Sequence, residues 1–212
     1  GTTTLTIEGV KSLHEVNEYF VSPDPVDAMA WISLTTTTKS HLTVTNCAIE
    51  FLELELQKLS IMGQKFELKN KRKSKNGKLD IVDIELYPSD LIALPDKLYG
   101  RPFPGLNIDN VPLFVPILTQ AKGETLVHDW CYENRAIYYL EMKKLGANVL
   151  LLDSHRALIK GPTPLVANTL EAPPALRPAM ALLIAMLAAD GTSVLKKAEV
   201  VERGYYHLVE RL

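Results

Sequence analysis

The sequence predicts an α+β fold in which one βαβαββ unit is used three times about a pseudo-threefold axis, helices inside and sheets outside, with the third unit truncated. Three observations predict it. Gly123-Glu124-Thr125-Leu126-Val127 returns as Gly191-Thr192-Ser193-Val194-Leu195, 68 positions on, and the same shift carries Arg135 onto Arg203 and Asp109 onto Arg177. A weaker copy lies 83 positions ahead of the middle one, where Ser40-His41-Leu42-Thr43-Val44 leads into Ile49-Glu50-Phe51-Leu52 and a helix ending near Met62-Gly63. Met180 to Ala189 is apolar on nearly all sides, which suits a helix enclosed by other elements rather than one lying on a surface.

The copies divide the chain into units of about 16–77, 78–162 and 163–212, all within a single domain over 1–212. In the first, the threonine run Thr35 to Thr38 closes a helix by local capping; a phosphate cradle would want glycines. The basic residues Lys69, Lys71, Arg72, Lys73, Lys75 and Lys78 surround Asn76-Gly77 without interleaved aromatics, so they read as a solvated hairpin loop rather than a nucleic-acid surface. The extra length of the first spacing is absorbed by the Pro-rich stretch Pro88 to Pro104. The middle copy opens with an alternating strand over 79–86. An apolar helix with Pro112 and Pro116 follows over 109–121, then a strand over 124–129. An amphipathic helix over 134–145 is stopped by Gly146, and 149–152 with 157–159 make a hairpin. The last copy ends at Leu212 inside its second helix, before any closing hairpin.

Composition narrows the function classes. The 212 residues are 47% hydrophobic and 23% charged, with a formal net charge of -2, as in ordinary globular proteins. A net negative chain has no global field to recruit nucleic acid or an anionic membrane, so any anion site must be local. Cys47 and Cys131 have no partners at metal-ligand spacing, and His14, His41, His128, His155 and His207 are scattered. No metal site is predicted, and the cysteine usage suits a reducing compartment. No apolar run reaches the roughly 20 residues of a membrane span. The start lacks the basic flank and apolar run of a secretory signal, and its beginning without Met is expected of a trimmed or partial chain.

The order and spacing of several short runs carry a resemblance. Tyr132-Glu133-Asn134-Arg135, then Lys144-Leu145-Gly146-Ala147 and His155-Arg156-Ala157-Leu158-Ile159-Lys160-Gly161-Pro162, resemble the UDP-N-acetylglucosamine 1-carboxyvinyltransferase family of enolpyruvyl transferases. Ala188-Ala189-Asp190-Gly191, Glu202-Arg203-Gly204-Tyr205 and the opening Leu5-Thr6-Ile7-Glu8-Gly9-Val10 fit as well, so the likeness covers essentially the whole chain. The resemblance implies the inside-out α/β barrel of EPSP synthase-like proteins, and specifically the later of two such domains. It also implies a cytoplasmic enzyme of peptidoglycan precursor synthesis that moves the enolpyruvyl group of phosphoenolpyruvate to the 3-hydroxyl of UDP-N-acetylglucosamine. No cofactor is implied, and the partner would be the missing N-terminal-half domain, which carries a reactive lysine and a general-acid loop. The 212 residues alone are then expected not to turn over.

Residue by residue, the resemblance makes Asp109, in Leu106-Asn107-Ile108-Asp109, the general base, and puts Arg203 on the phosphoenolpyruvate side. Arg135, Arg177, Leu176 and Cys131 become substrate-binding, Cys131 as lining near the sugar rather than as a nucleophile. Helix N-termini with arginines on one face attract phosphate and carboxylate, which is the physical content of that assignment. Taken alone, an aspartate at a helix start is an N-cap, and Arg135 and Arg203 are surface residues paired with Glu133 and Glu202. Trp31 and Trp130 read as packing anchors before stacking platforms. Two departures bear on the acceptor: Ala175 stands where the family usually has Asp and is followed by Leu176-Arg177-Pro178, and Asn107-Ile108 replaces a Pro-Thr pair. They leave open an enolpyruvyl transferase for another acceptor, such as shikimate 3-phosphate or a nucleotide, and a non-catalytic binding domain on the same fold.

Overall fold

The structure is a computed structural model that describes residues 4–133 and 135–212. Residues 4–24 form no regular element and are largely exposed. Helix α1 (Pro25–Thr37) begins where the Asp24 carboxylate accepts the Val26 amide at 2.8 Å and Pro25 fills the first turn, which needs no amide there. It ends in the threonine run. Thr35 and Thr38 hydroxyls donate to the carbonyls of Trp31 and Leu34, four residues back, so the run is local capping.

The first sheet follows: β1 (Leu42–Ala48), helix α2 (Glu53–Ile61), β2 (Lys65–Lys73) and β3 (Asp80–Tyr87), in the order β1-β3-β2 and antiparallel throughout. This corrects two expectations. The strand foreseen over 79–86 forms, but it pairs with β1 and β2 and so closes the first sheet rather than opening the middle copy; the boundary falls after Tyr87, not at 77. The physical reason is the Asn76-Gly77 turn. Such a pair joins neighbouring strands into a hairpin, here with Lys73 opposite Asp80, and cannot separate two units. No strand precedes α1 among the described residues, so the first unit is αβαββ. Three of the hairpin's basic residues pair with acids of β2 and β3: Lys69 with Glu85 and Glu67, Arg72 with Asp83 at 2.9 Å and Lys73 with Asp80 at 2.9 Å.

The middle unit is β4 (Leu98–Tyr99), α3 (Val111–Gln120), β5 (Gly123–His128), α4 (Ile137–Lys144), β6 (Asn148–Leu151) and β7 (Arg156–Gly161), with sheet order β4-β5-β7-β6. Its opening strand is two residues long and lies in the stretch foreseen as an inserted loop. The third unit has β8 (Thr169–Glu171) parallel to β9 (Val194–Lys196), joined by α5 (Leu176–Leu187). Its second helix is not continuous: a one-turn α6 (Glu199–Glu202) and α7 (Leu208–Arg211) are separated by a turn in which His207 takes a left-handed conformation, φ 48°.

Helices α1, α3 and α5 pack against one another, and the sheets lie outside them. All of α3 except Gln120 is buried, and α5 buries Pro178 to Leu182 and Ile184 to Met186. Burial on every side explains why Pro116 is tolerated inside α3, since a cost of about 3 kcal/mol is offset by the apolar area removed from water. The repeat is visible in the backbone too. Gly123 and Gly191, 68 positions apart, follow α3 and α5 with φ of 121° and 99°, a conformation that side chains rarely adopt. Among the described residues, no helix is long and apolar enough to cross a membrane.

Candidate functional site

The starts of α3 and α5 face each other. Before α3 the chain makes a single 3-10 turn, Ile108–Asn110, capped by the Asn107 side chain, whose Oδ1 accepts the Asp109 amide at 2.9 Å. The Asp109 carboxylate thereby stands at the surface, 38% exposed, with Arg135 Nη1 3.8 Å from Oδ1 and Arg177 Nε 3.8 Å from Oδ2. Both distances exceed a hydrogen bond. The carboxylate sits in the field of two guanidinium groups without being locked to either, so its lone pairs stay open to an incoming hydroxyl.

Arg135 is held more firmly. Its side chain is only 6% exposed; Nε donates to Asp129 Oδ2 at 2.7 Å, Nη2 donates to the Ile108 carbonyl at 2.9 Å, and the Tyr132 ring lies 4.4 Å below the guanidinium. Asp129 is buried at the end of β5, and desolvation pushes its carboxyl above the ordinary range, with Arg135 opposing that push. Its Oδ1 has no hydrogen-bond partner among the described residues. The pair therefore fixes the arginine at a desolvation cost.

Arg177, 15% exposed, follows Leu176 at the first turn of α5 and lies 5.2 Å from the ring centroid of buried Tyr205. Its Nη1 is buried without a partner among the described residues. Gly204 lets the end of α6 come this close: a Cβ there would meet Leu176 Cδ2 at 2.4 Å and Arg177 Nη1 at 3.3 Å. α5 has no side-chain cap, because Ala175 occupies the cap position. Its first amides are left for a ligand or water.

Two cavities meet at Asp109 and Tyr132. One, about 400 Å³, is lined by Glu133, Arg135, Leu176 and Arg177 with Pro173 to Ala175; the other, about 410 Å³, by Phe51, Glu55, Arg101, Phe103 and Asn107. Asp109, Arg135, Arg177 and Leu176 thus share one wall. Arg203 and Cys131 line neither cavity. Both are exposed, and the Arg203 side chain makes no hydrogen bond or ion pair with another described residue. Cys131 is exposed in the same turn, in which Tyr132 and Glu133 line the cavity. For the Arg203-Gly204-Tyr205 motif, Gly204 and Tyr205 make the contacts to α5, while the arginine caps α6 at its outer end. Trp130 donates from Nε1 to the Gly100 carbonyl at 2.8 Å, an anchoring role.

Sequence reasoning missed Glu55, Asp129 and Tyr205 as supports of this wall. Tyr205 had a signal in its motif, and Asp129 lies six residues before Arg135 at a strand end. Glu55 had none, since it alternates with Glu53 on α2 and only burial separates the two.

The model of the EPSP synthase (3-phosphoshikimate 1-carboxyvinyltransferase) family matches residues 1–212. The chain belongs to that family. Curated relatives include the UDP-N-acetylglucosamine 1-carboxyvinyltransferases of Treponema denticola, 32% identical over all of this chain and 48% of the relative. That of Bacteroides thetaiotaomicron is 31% identical over 98% of this chain and 47% of the relative. The chain spans about half the length of the curated relatives it matches. Among solved structures, the enolpyruvyl transferase NikO from Streptomyces tendae matches with TM-score 0.73 and 25% identity over 90% of this chain and 42% of that one. The EPSP synthase of Acinetobacter baumannii matches with TM-score 0.64 at 17% identity over 88% of this chain and 44% of that one, a likeness of fold. Within the EPSP synthase family fold, the wall around Asp109 lies where the first helices of two repeat units begin.

Proposed function

We propose that this chain is the later half of an enzyme that transfers the enolpyruvyl group of phosphoenolpyruvate to the 3-hydroxyl of UDP-N-acetylglucosamine, releasing phosphate. The observation that carries the reading is one exposed carboxylate, Asp109, standing 3.8 Å from each of two largely buried arginines on a cavity wall. The curated relatives of that name, about 30% identical over the whole chain, support the choice of acceptor.

In this reading Asp109 accepts the proton of the acceptor hydroxyl as its oxygen attacks C2 of the donor while the general acid of the other half protonates C3, and loss of a C3 proton together with phosphate from the tetrahedral adduct restores the enolpyruvyl double bond. Arg135 and Arg177 offset the negative charge of donor phosphate and carboxylate, and their pre-fixed positions cost no reorganisation during reaction. Leu176 and the uncapped first turn of α5 contact substrate. Arg203 is assigned to the phosphoenolpyruvate side by its motif, Glu202-Arg203-Gly204-Tyr205. The other half of the protein supplies the general acid and closes the cleft against water. No metal or organic cofactor takes part, and two free cysteines suit the cytoplasm.

The test uses the protein with both halves. Phosphate release must require both phosphoenolpyruvate and UDP-N-acetylglucosamine, and Asp109→Ala must reduce turnover on the order of 10²- to 10⁴-fold. Unaffected turnover removes Asp109 from the chemistry. A second acceptor is favoured by Ala175 and by Asn107-Ile108, which remove a carboxylate and a hydroxyl from the wall; failure to bind UDP-N-acetylglucosamine at millimolar concentration would select it.

A further inference from the structure

We infer that Glu55 is a positioning residue that holds the turn bearing Asp109 at the cavity wall, an inference that rests on reading Asp109 as the base. Glu55 belongs to α2 of the first unit, far in sequence from α3, and lies outside every motif of the resemblance. Its Oε1 accepts two hydrogen bonds from the turn: the Asn107 amide at 3.3 Å and the Asn110 side-chain amide at 2.7 Å. Asn110 is fully buried, Glu55 nearly so, and both flank the exposed Asp109.

The turn is thereby tied from two sides. Arg135 donates to the Ile108 carbonyl, and Glu55 takes donors from the residues on either side of the Ile108-Asp109 pair. Asn107 in turn supplies the oxygen that caps Asp109. A single 3-10 turn has few internal bonds, so its geometry depends on such external ties. Burying a carboxylate is costly, and burial does push the Glu55 carboxyl above its ordinary range. A solvent-facing glutamate, like its neighbour Glu53, incurs no such cost. The retained buried charge is spent on two donors that a neutral apolar residue at 55 would leave unpaired. Glu55 also lines the 410 Å³ cavity beside Asp109, so the tie acts at the wall itself.

The test reads hydrogen exchange at the Asn107 and Asp109 amides of the 212-residue chain by NMR, with Ala185 in α5 as the reference. Glu55→Ala is expected to speed exchange at Asn107 by about tenfold or more while Ala185 changes by less than about threefold. Glu55→Gln keeps an acceptor oxygen and is expected to stay within about threefold of the parent at all three amides. Glu55→Asp keeps the charge but shortens the reach, gives the same local loss, and carries the test where the alanine variant does not fold. Unchanged exchange at Asn107, or equal acceleration at Ala185, overturns the inference.

In the protein with both halves, Glu55→Ala should lower kcat on the order of 10- to 100-fold with the phosphoenolpyruvate KM little changed, and Glu55→Gln should restore it. The two arms separate the failures. If Asp109→Ala leaves turnover intact, the assignment of the base falls while the exchange result stands. If Asp109→Ala abolishes turnover and Glu55→Ala does not lower kcat, the positioning role falls alone.

Discussion

The starts of α3 and α5 occupy equivalent places in two copies of one unit, yet they are built in opposite ways. α3 is preceded by a 3-10 turn capped by Asn107 and tied down by Glu55 and Arg135, and it presents a carboxylate. α5 begins without a side-chain cap and presents a guanidinium backed by Tyr205. Because Asp109 and Arg177 are 68 positions apart, the repeat itself brings opposite charges to 3.8 Å. The comparison teaches that repetition fixes where a helix starts, while the residues around each start decide whether that place holds an acid or a cation.

The comparison breaks first at Arg135, which serves the α3 side. Arg135→Met leaves Asp129 buried without its partner, and loss of a buried partner costs about 3–5 kcal/mol; urea unfolding should show it. The double variant Arg135→Met/Asp129→Leu should recover most of that loss, since removing both charges is close to neutral. A small effect in the single variant would mean that Asp129 takes up a proton instead. On the α5 side the effect is on binding. Arg177→Ala should weaken phosphoenolpyruvate binding to the two-half protein on the order of 100-fold by calorimetry, and Arg177→Lys should not restore it, because an ammonium lacks the planar fork. Equal affinity for parent and alanine variant would leave the orphaned Nη1 without a ligand to meet.

How much of this was legible follows from the same contrast. The repeat and the apolar central helices could be read from spacing, because glycines and helix starts recur at fixed offsets, whereas the meeting of Asp109 with Arg135 and Arg177 is implied by the resemblance. Arg203 shows the limit. Its offset from Arg135 is the same 68, but repeat equivalence transmits backbone position, not contacts, and Gly204 and Tyr205 take the inward places. The end of the first unit was misplaced because strand 80–87 alternates like an opening strand; only its pairing with β1 and β2 identifies it as a closing one. Glu55 was hidden for a related reason. Burial of one glutamate of two on α2 is a tertiary fact that local pattern does not encode.

A smaller effect sharpens the capping difference. Ala175 already has extended backbone angles, φ −88° and ψ 126°, much like those of Asp24 before α1, φ −80° and ψ 113°. Asp24 there accepts the amide two residues on, and an aspartate at 175 would find the Arg177 amide in the same relation, Pro178 having none. Ala175→Asp should therefore stabilise the chain by about 0.5–1 kcal/mol in urea unfolding. No gain would mean that the uncapped start is already satisfied by water.

The last difference is one of sign with pH, between the α2 tie and the first hairpin. Asp83 on β3 is held down to about 2, first by its hydrogen bond from Arg72 and further by Asn70 and the Asn46 amide. Its folded value lies below the unfolded one of about 3.9, so its contribution is present above that value and is lost as pH falls toward 2. Glu55 runs the other way: burial raises its folded value above the unfolded one of about 4.3. The folded state then binds the proton first, and the cost of the buried charge is relieved as pH falls through the raised value. Unfolding midpoints followed downward from pH 7 should separate the two. Asp83→Asn should flatten the loss between pH 4 and 2, and Glu55→Gln should remove the gain that begins at higher pH. If both variants alter the same limb, the two carboxylates do not differ in the way their surroundings require, since one is met by a guanidinium at the edge of a sheet and the other by neutral amides in the interior.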